Sequence, residues 1–222
     1  MATPRSSAGA RLLQGLACLL VVKTTAAILA NYPGYLPADF TTGFLFGREG
    51  YFFGAYAVAF YTHIAAGPFC LLSGVVLLSE RLRRRSPAWH GRLGRAHVAA
   101  VLLLLTPSGL WMAAYAAVGP VAGAGFACLS LATAAAAALG ARAAIQRRFA
   151  DHRRWMQRLF ALLSSAVVLR VIGGAAEVLD LTGTYPVAAW ASWLLPLAAL
   201  ELARLSSRPG RSPRRPSASA AT

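Results

Sequence analysis

The sequence predicts an all-α integral membrane bundle of six transmembrane helices, and three observations lead to that prediction. First, 57% of the 222 residues are hydrophobic and only 13% are charged, too few charged side chains to cover a soluble domain. Second, the apolar residues gather in six runs, each near the roughly 20 residues that a helix needs to cross a bilayer. Third, open sheet edges are not viable in lipid, and the alternating pattern of a membrane barrel is absent from the sequence. Each run is therefore predicted to be a helix.

The runs fall within residues 1–206, which we take as one membrane domain. The first run has a basic start and could be a signal peptide, but we expect a retained helix. Lys23 interrupts the run, and Ile28 is a poor residue for a cleavage site. The fourth run is mostly Ala and carries Gly119 and Gly123, a spacing that predicts a central helix with close neighbours. The six predicted helices span about 12–30, 52–79, 97–117, 120–141, 156–179 and 185–203.

Two segments are predicted to lie outside the helices. Residues 31–51 are rich in Gly, Pro, Phe and Tyr. They could form a re-entrant segment at the membrane interface or an ordinary capping loop, and we favour the capping loop. Residues 207–222 are rich in Ser, Pro, Ala and Arg, a composition that predicts a disordered basic tail.

The positive charges are concentrated on one side of the predicted topology. Of the 22 Lys and Arg residues, 19 fall in the N-terminal segment, the second-to-third and fourth-to-fifth connections and the C-terminal segment. Only Arg48 lies on the opposite side, while Lys23 and Arg170 lie within helices. The positive-inside rule predicts cytoplasmic termini in a multi-pass protein of the bacterial inner membrane. The net charge of +15 then reflects topology, with anionic lipid and not nucleic acid as the expected partner of the cytoplasmic arginines.

Ionisable side chains at membrane depth mark one candidate site. Lys23, His63 and Arg170 lie about 10, 16 and 14 Å from the outer ends of three predicted helices, at 1.5 Å per residue. Glu177 lies two turns from Arg170. Such residues are costly in a membrane and are functional candidates. Together they would suit an anionic or quinone-like ligand, or a proton relay through His63. The structural alternative is that Arg170 binds carbonyls and Glu177 while Lys23 extends towards the headgroups.

Three histidines near the predicted inner ends mark a second candidate site. His90 and His97 occur in AWHGRLGRAH before the third helix, and His152 occurs in ADHRRWMQR before the fifth. Two imidazoles at one depth could bind the iron of haem b axially, with nearby arginines on the propionates. The alternative is that these histidines belong to hydrated basic loops. No other metal site is predicted, because neither carboxylates nor thiolates accompany the histidines.

Three motifs resemble one bacterial membrane family, the one catalogued as domain of unknown function 2306. They are HIAAGPFCLLSGVVLL from His63, WHGRLGRAH from Trp89 to His97, and HRRWMQR from His152 to Arg158, with Arg170 following. The resemblance covers roughly residues 55–203 and implies a membrane protein without implying an activity. The family pattern has an aromatic residue at the position of His97, so the resemblance favours His90 and His152 as a haem pair.

The chain is also loosely similar to six-helix cytochromes of the b561 type. Those proteins use two histidine pairs on four central helices. Here the fourth predicted helix lacks histidine, and His63 has no histidine partner at its depth. The similarity therefore does not imply a two-haem enzyme.

Three functions remain open for this polytopic membrane protein. The first is haem binding or redox chemistry, which is slightly favoured. The second is transport or small-ligand binding at the outer-half site. The third is a non-catalytic scaffold whose inner arginines bind anionic lipid or a partner. The sequence has no Walker A, GxSxG or HExxH motif, which disfavours an ATP-driven pump or a hydrolase.

Overall fold

Every secondary-structure element in the described part of the chain is helical, as the sequence predicts. The structure is a computed structural model that describes residues 8–41 and 43–206, with side chains from Gly15 onward. The predicted tail 207–222 lies outside the described residues. The helices are α1 (Ala8–Ala30), α2 (Glu49–Phe52), α3 (Ala55–Leu77), α4 (Glu80–Arg85), α5 (Pro87–Ala100), α6 (Thr106–Ala114), α7 (Pro120–Ile145), α8 (Phe149–Leu163), α9 (Ser165–Val178) and α10 (Tyr185–Ser206).

Within residues 8–41 and 43–206, five helical stretches are long and apolar enough to cross a membrane. The first predicted crossing corresponds to α1, whose apolar part Gly15–Ala30 is shorter than the other stretches. The sixth crossing and the side on which the termini lie therefore stay predictions. The five stretches are Ala55–Leu77, Pro87–Ala114, Pro120–Ile145, Phe149–Val178 and Tyr185–Ser206.

Two of these stretches begin earlier than the apolar runs suggest. The third predicted helix starts at Pro87, about ten residues before its predicted start, and the fifth predicted helix starts at Phe149. The first turns of these helices carry polar and basic side chains. A prediction from apolar residues alone places the helix start after these turns, although the helix already includes them. Pro87 suits a first helical position because its missing N–H would have no intrahelical partner there. As a result, His90 and His152 lie in helices and not in loops.

Helix α7 is central to the packing and contacts α6, α8 and α10. Its small residues allow close approach. A Cβ at Gly123 would lie 2.7 Å from the Ala113 carbonyl oxygen of α6, and a Cβ at Gly125 would lie 3.1 Å from the Trp190 ring of α10. At Gly140 a Cβ would overlap the Met156 side chain of α8. These contacts agree with the central packing helix that the sequence predicts.

Residues 31–54 cover one end of the bundle with aromatic side chains. Leu45 and Phe52 are fully buried against Phe60 of α3. Tyr35 packs edge-on to the Phe60 ring, and its carbonyl accepts a hydrogen bond of 2.7 Å from the Tyr61 hydroxyl. These residues form an aromatic cap that packs against α3, and their assignment as a capping loop, not a re-entrant segment, stays a prediction.

Candidate functional site

A cavity of about 160 Å³ lies under this aromatic cap, between the end of α1 and helices α3, α6, α7, α8 and α9. An apolar cavity of about 150 Å³ accommodates a benzene ring, so the volume suits a small molecule. Leucine and isoleucine side chains form much of the wall. The polar side chains on the lining are Tyr32, His63, Thr106, Ser130, Thr133, Ser165 and Arg170.

The α3 wall of the cavity is shaped by Gly67 and Pro68. Proline has no backbone N–H, so the Ile64 carbonyl one turn earlier loses its helical donor. The Tyr32 hydroxyl donates a hydrogen bond to that carbonyl. Burial raises the pKa of the Tyr32 phenol above 10.0, which keeps it protonated as a donor. A Cβ at Gly67 would meet no atom within 4 Å, so the missing side chain contributes open space to the cavity.

His63 lies on the lining with its Nδ1 3.2 Å from the Ser108 hydroxyl oxygen. The Ser108 hydroxyl donates its own hydrogen to the Leu104 carbonyl at 2.6 Å. It can therefore only accept from His63, which places the imidazole proton on Nδ1 and leaves Nε2 as an acceptor. Gly109 makes room for this arrangement, because a Cβ there would lie 3.3 Å from His63 Cε1 and 2.8 Å from the Ser130 hydroxyl oxygen.

Thr106 presents a buried hydroxyl without a partner. The residue is 8% exposed, lines the cavity, and its Oγ1 makes no hydrogen bond. It follows a five-residue π-helical segment, Val101–Leu105, a feature that is often found at functional sites. A buried hydroxyl without a partner costs about 1–3 kcal/mol. Thr106 is therefore a group that a bound ligand would satisfy.

Among the described residues, Arg170 is the only charged side chain on the lining, and it is exposed. It donates a hydrogen bond of 2.9 Å to the Ala166 carbonyl of its own helix. The guanidinium also lies close enough to Tyr32, Tyr35 and Tyr185 to interact with them electrostatically. Among the described residues, no carboxylate forms an ion pair with it.

The structure brings together two of the four side chains that we expected at the outer-half site. His63 and Arg170 line the same cavity. Lys23 and Glu177 are exposed on α1 and α9 and are not part of its lining. Sequence reasoning missed the hydroxyl groups of Tyr32, Thr106 and Ser130. The polar stretch TPSG from Thr106, which interrupts the apolar run, is the sequence signal that marks this region.

Of the three inner histidines, the structure places His97 apart from the other two. His97 is 3% exposed, and its Nδ1 lies 2.8 Å from the Ser73 hydroxyl oxygen of α3. Its ring lies beside Gly74, where a Cβ would be 3.6 Å from His97 Cε1 and 2.9 Å from Phe160 Cδ2. His97 therefore fills a packed position between helices.

His90 and His152 lie close enough to interact electrostatically, and each is the fourth residue of its helix. The His152 Nδ1 lies 2.9 Å from the Gly140 carbonyl oxygen, so its proton is on Nδ1 and Nε2 carries the lone pair. The His90 Nδ1 is buried without a partner. The described residues contain no cluster of three or more His, Cys, Asp or Glu side chains that could hold a metal ion.

The chain matches the model of a family described as "Predicted membrane protein (DUF2306)" over residues 60–203. That range includes His63, Thr106 and Arg170 from the cavity and the His90 and His152 pair. Among curated proteins and solved structures, nothing matches the chain. Because the family model covers more than half of the chain, this protein belongs to the DUF2306 family of predicted membrane proteins.

Proposed function

We propose that this protein binds a small molecule in the cavity under the aromatic cap, as a membrane transporter or a ligand-binding membrane protein. The observation that carries the proposal is the cavity that His63, Arg170 and Thr106 line together, with the buried Thr106 hydroxyl lacking a partner among the described residues. Polar groups in a membrane interior are expensive and are retained where they serve a function. An unsatisfied hydroxyl and an unpaired guanidinium favour this role over a scaffold without a ligand.

The proposal includes a six-helix topology in which α1 is the first crossing and both termini face the cytoplasm of a bacterial inner membrane. The asymmetry of the positive charges supports it. The cavity would then lie in the outer half of the bilayer. The exposed arginines at the other end, such as Arg84 and Arg153, would contact anionic lipid headgroups at about 1 kcal/mol each.

The substitution Gly67→Leu tests the proposal. The leucine side chain would fill the cavity, and its Cβ would meet no atom within 4 Å. The matched control is Gly174→Leu, since a Cβ at this helical glycine also meets no atom within 4 Å and the residue is not on the lining. Fluorine NMR would follow para-fluorobenzoate and para-fluorobenzamide binding to protein in a neutral detergent. We expect saturable binding by the natural sequence and by Gly174→Leu, and a loss of roughly tenfold or more in Gly67→Leu.

Equal binding by Gly67→Leu and the natural sequence would show that the cavity is not the site. The absence of saturable binding of either probe to the natural sequence would reject the proposed function.

A second candidate function is haem binding by the inner histidines. The observation that favours it is the orphaned His90 Nδ1 beside a His152 ring that is oriented by the Gly140 carbonyl. His90 and His152 would hold the iron of a haem b, and the haem would supply one-electron transfer. We expect protein from haem-replete cells to show a Soret band that His152→Ala abolishes and His97→Phe retains. A spectrum without the band, or one that depends equally on His97, would reject this candidate.

A further inference from the structure

We infer that the ligand of the cavity is a compact organic monoanion, a carboxylate on an apolar body the size of one ring, and that Arg170 binds the carboxylate. The inference rests on the function proposed above and specifies its ligand class. It follows from the charge, the donors and the size of the cavity.

The cavity lining carries a single formal charge, and that charge is positive. Arg170 is the source, and no Asp, Glu or Lys side chain is on the lining. Glu177, two turns along the same helix, is exposed and takes part in none of the ion pairs among the described residues. Arg170 is exposed in the structure, yet a cation without a counter-ion within a membrane span is costly, and a bound anion offsets that cost. One positive charge matches one negative charge, which favours a monoanion over a phosphate dianion.

The donors on the lining suit the oxygens of a carboxylate. The guanidinium has five N–H donors, and one of them is used by the Ala166 carbonyl. Its planar fork can bind both oxygens of a carboxylate. Thr106, whose buried hydroxyl lacks a partner among the described residues, is also on the lining, and a rotation of its side chain would supply a further donor.

The remaining walls define the body of the ligand. Leu71, Leu129 and Leu162 contribute apolar surface, so a ligand that is polar throughout would lose hydration without compensation. A volume of about 160 Å³ accommodates one ring or a branched chain of similar size. A fatty acid from the bilayer shares the carboxylate chemistry, but its chain exceeds this volume.

The experiment compares two probes of nearly the same shape, para-fluorobenzoate and the neutral para-fluorobenzamide. Fluorine NMR titrations would use the natural sequence, Arg170→Gln and Arg170→Lys in dodecyl maltoside. The matched control is Arg153→Gln, which removes the same charge from an exposed arginine outside the lining. We expect the natural sequence and Arg153→Gln to prefer the acid by roughly tenfold, the effect of one charge-assisted contact. Arg170→Gln should lose this preference yet still bind the amide, and Arg170→Lys should keep part of it.

Equal affinities for acid and amide in the natural sequence, or a preference for the acid that survives in Arg170→Gln, would overturn the monoanion inference. The proposed function would stand in that case, because Gly67→Leu would still abolish binding of both probes. If Arg170→Gln does not fold, the natural sequence and Arg170→Lys are compared instead. The ratio of their affinities for acid and amide then tests the monoanion inference. Octanoate, added as a competitor of para-fluorobenzoate, tests whether the ligand is a fatty acid from the bilayer. Stronger competition by octanoate than by benzoate would contradict a ligand with a compact body.

Discussion

Thr106 differs from the other small hydroxyl residues inside the helices. Ser73, Ser108 and Thr133 each donate to the carbonyl four residues earlier in their own helix, which is the usual way to satisfy such a group. At Thr106 the preceding π-helical segment changes the register, and the backbone N–H bonds the Val101 carbonyl five residues earlier. Its side-chain hydroxyl stays without a partner among the described residues, and the residue is on the lining of the cavity.

We expect Thr106→Val to stabilise the protein and to weaken ligand binding. Valine has nearly the same shape, so the change removes the unsatisfied hydroxyl, whose burial costs about 1–3 kcal/mol. Stability would be measured by unfolding in mixed micelles, and binding by titration with para-fluorobenzoate. Thr133→Val is the matched control on the same lining, because its hydroxyl already donates to the Leu129 carbonyl. A destabilised Thr106→Val protein with unchanged affinity would contradict this account of Thr106.

The sequence alone identifies some residues of the cavity lining and not others, and the difference has a physical reason. A charge or an imidazole within an apolar run is conspicuous, so His63 and Arg170 can be identified without a structure. The position of a residue along a helix says nothing about the rotation of that helix, and this is why the sequence cannot exclude Lys23 and Glu177, which are exposed and not on the lining. Hydroxyl groups in membrane helices are common, and only the local register distinguishes Thr106 from its satisfied neighbours.

At the scale of elements, Pro68 in α3 and Tyr32 after α1 depend on each other. Pro68 leaves the Ile64 carbonyl without its helical donor, and the Tyr32 hydroxyl replaces that donor. This contact ties the first helix to the α3 wall of the cavity. A proline within an apolar run indicates a helical carbonyl that has lost its donor, but the partner of that carbonyl depends on tertiary structure.

A double-mutant cycle measures this dependence. Tyr32→Phe alone should cost about 1–3 kcal/mol of unfolding free energy, because it orphans a carbonyl. In a Pro68→Ala background the alanine N–H can bond Ile64, so Tyr32→Phe should cost less, with a coupling of about 1 kcal/mol. The free energy of unfolding of each variant would be measured in mixed micelles. Additive effects of the two substitutions would show that Tyr32 does not replace the helical donor.

At the scale of the whole molecule, the number of crossings decides where the chain ends lie. In the part of the chain that the structure describes, five helical stretches are long and apolar enough to cross a membrane. A sixth crossing by α1 places both ends on one side, whereas five crossings place them on opposite sides. The class of fold could be predicted from composition, because a lipid-embedded chain must satisfy its backbone within helices. The sequence alone did not show that His90 and His152 lie in helices, because the first turns of these helices are polar.

We expect a fluorescent protein to be fluorescent in intact bacteria when it is fused before Met1 or after Thr222. Alkaline phosphatase, which is active only outside the inner membrane, should be inactive at both positions. This result follows from six crossings with the basic segments inside. Phosphatase activity at one end only would indicate five crossings, and activity at both ends would reverse the orientation.

The central claim is that the cavity under the aromatic cap holds a ligand, and photolabelling tests it most directly. A diazirine derivative of benzoate would be activated on the purified protein, and the labelled residues would be located by peptide mass spectrometry. We expect labels at Ile64, Gly67 and Leu71 of α3, at Thr106, and at Leu129 and Thr133 of α7, all suppressed by excess benzoate. Labels confined to the separate groove at Phe69, Ala99 and Leu103, unaffected by excess benzoate, would contradict this claim.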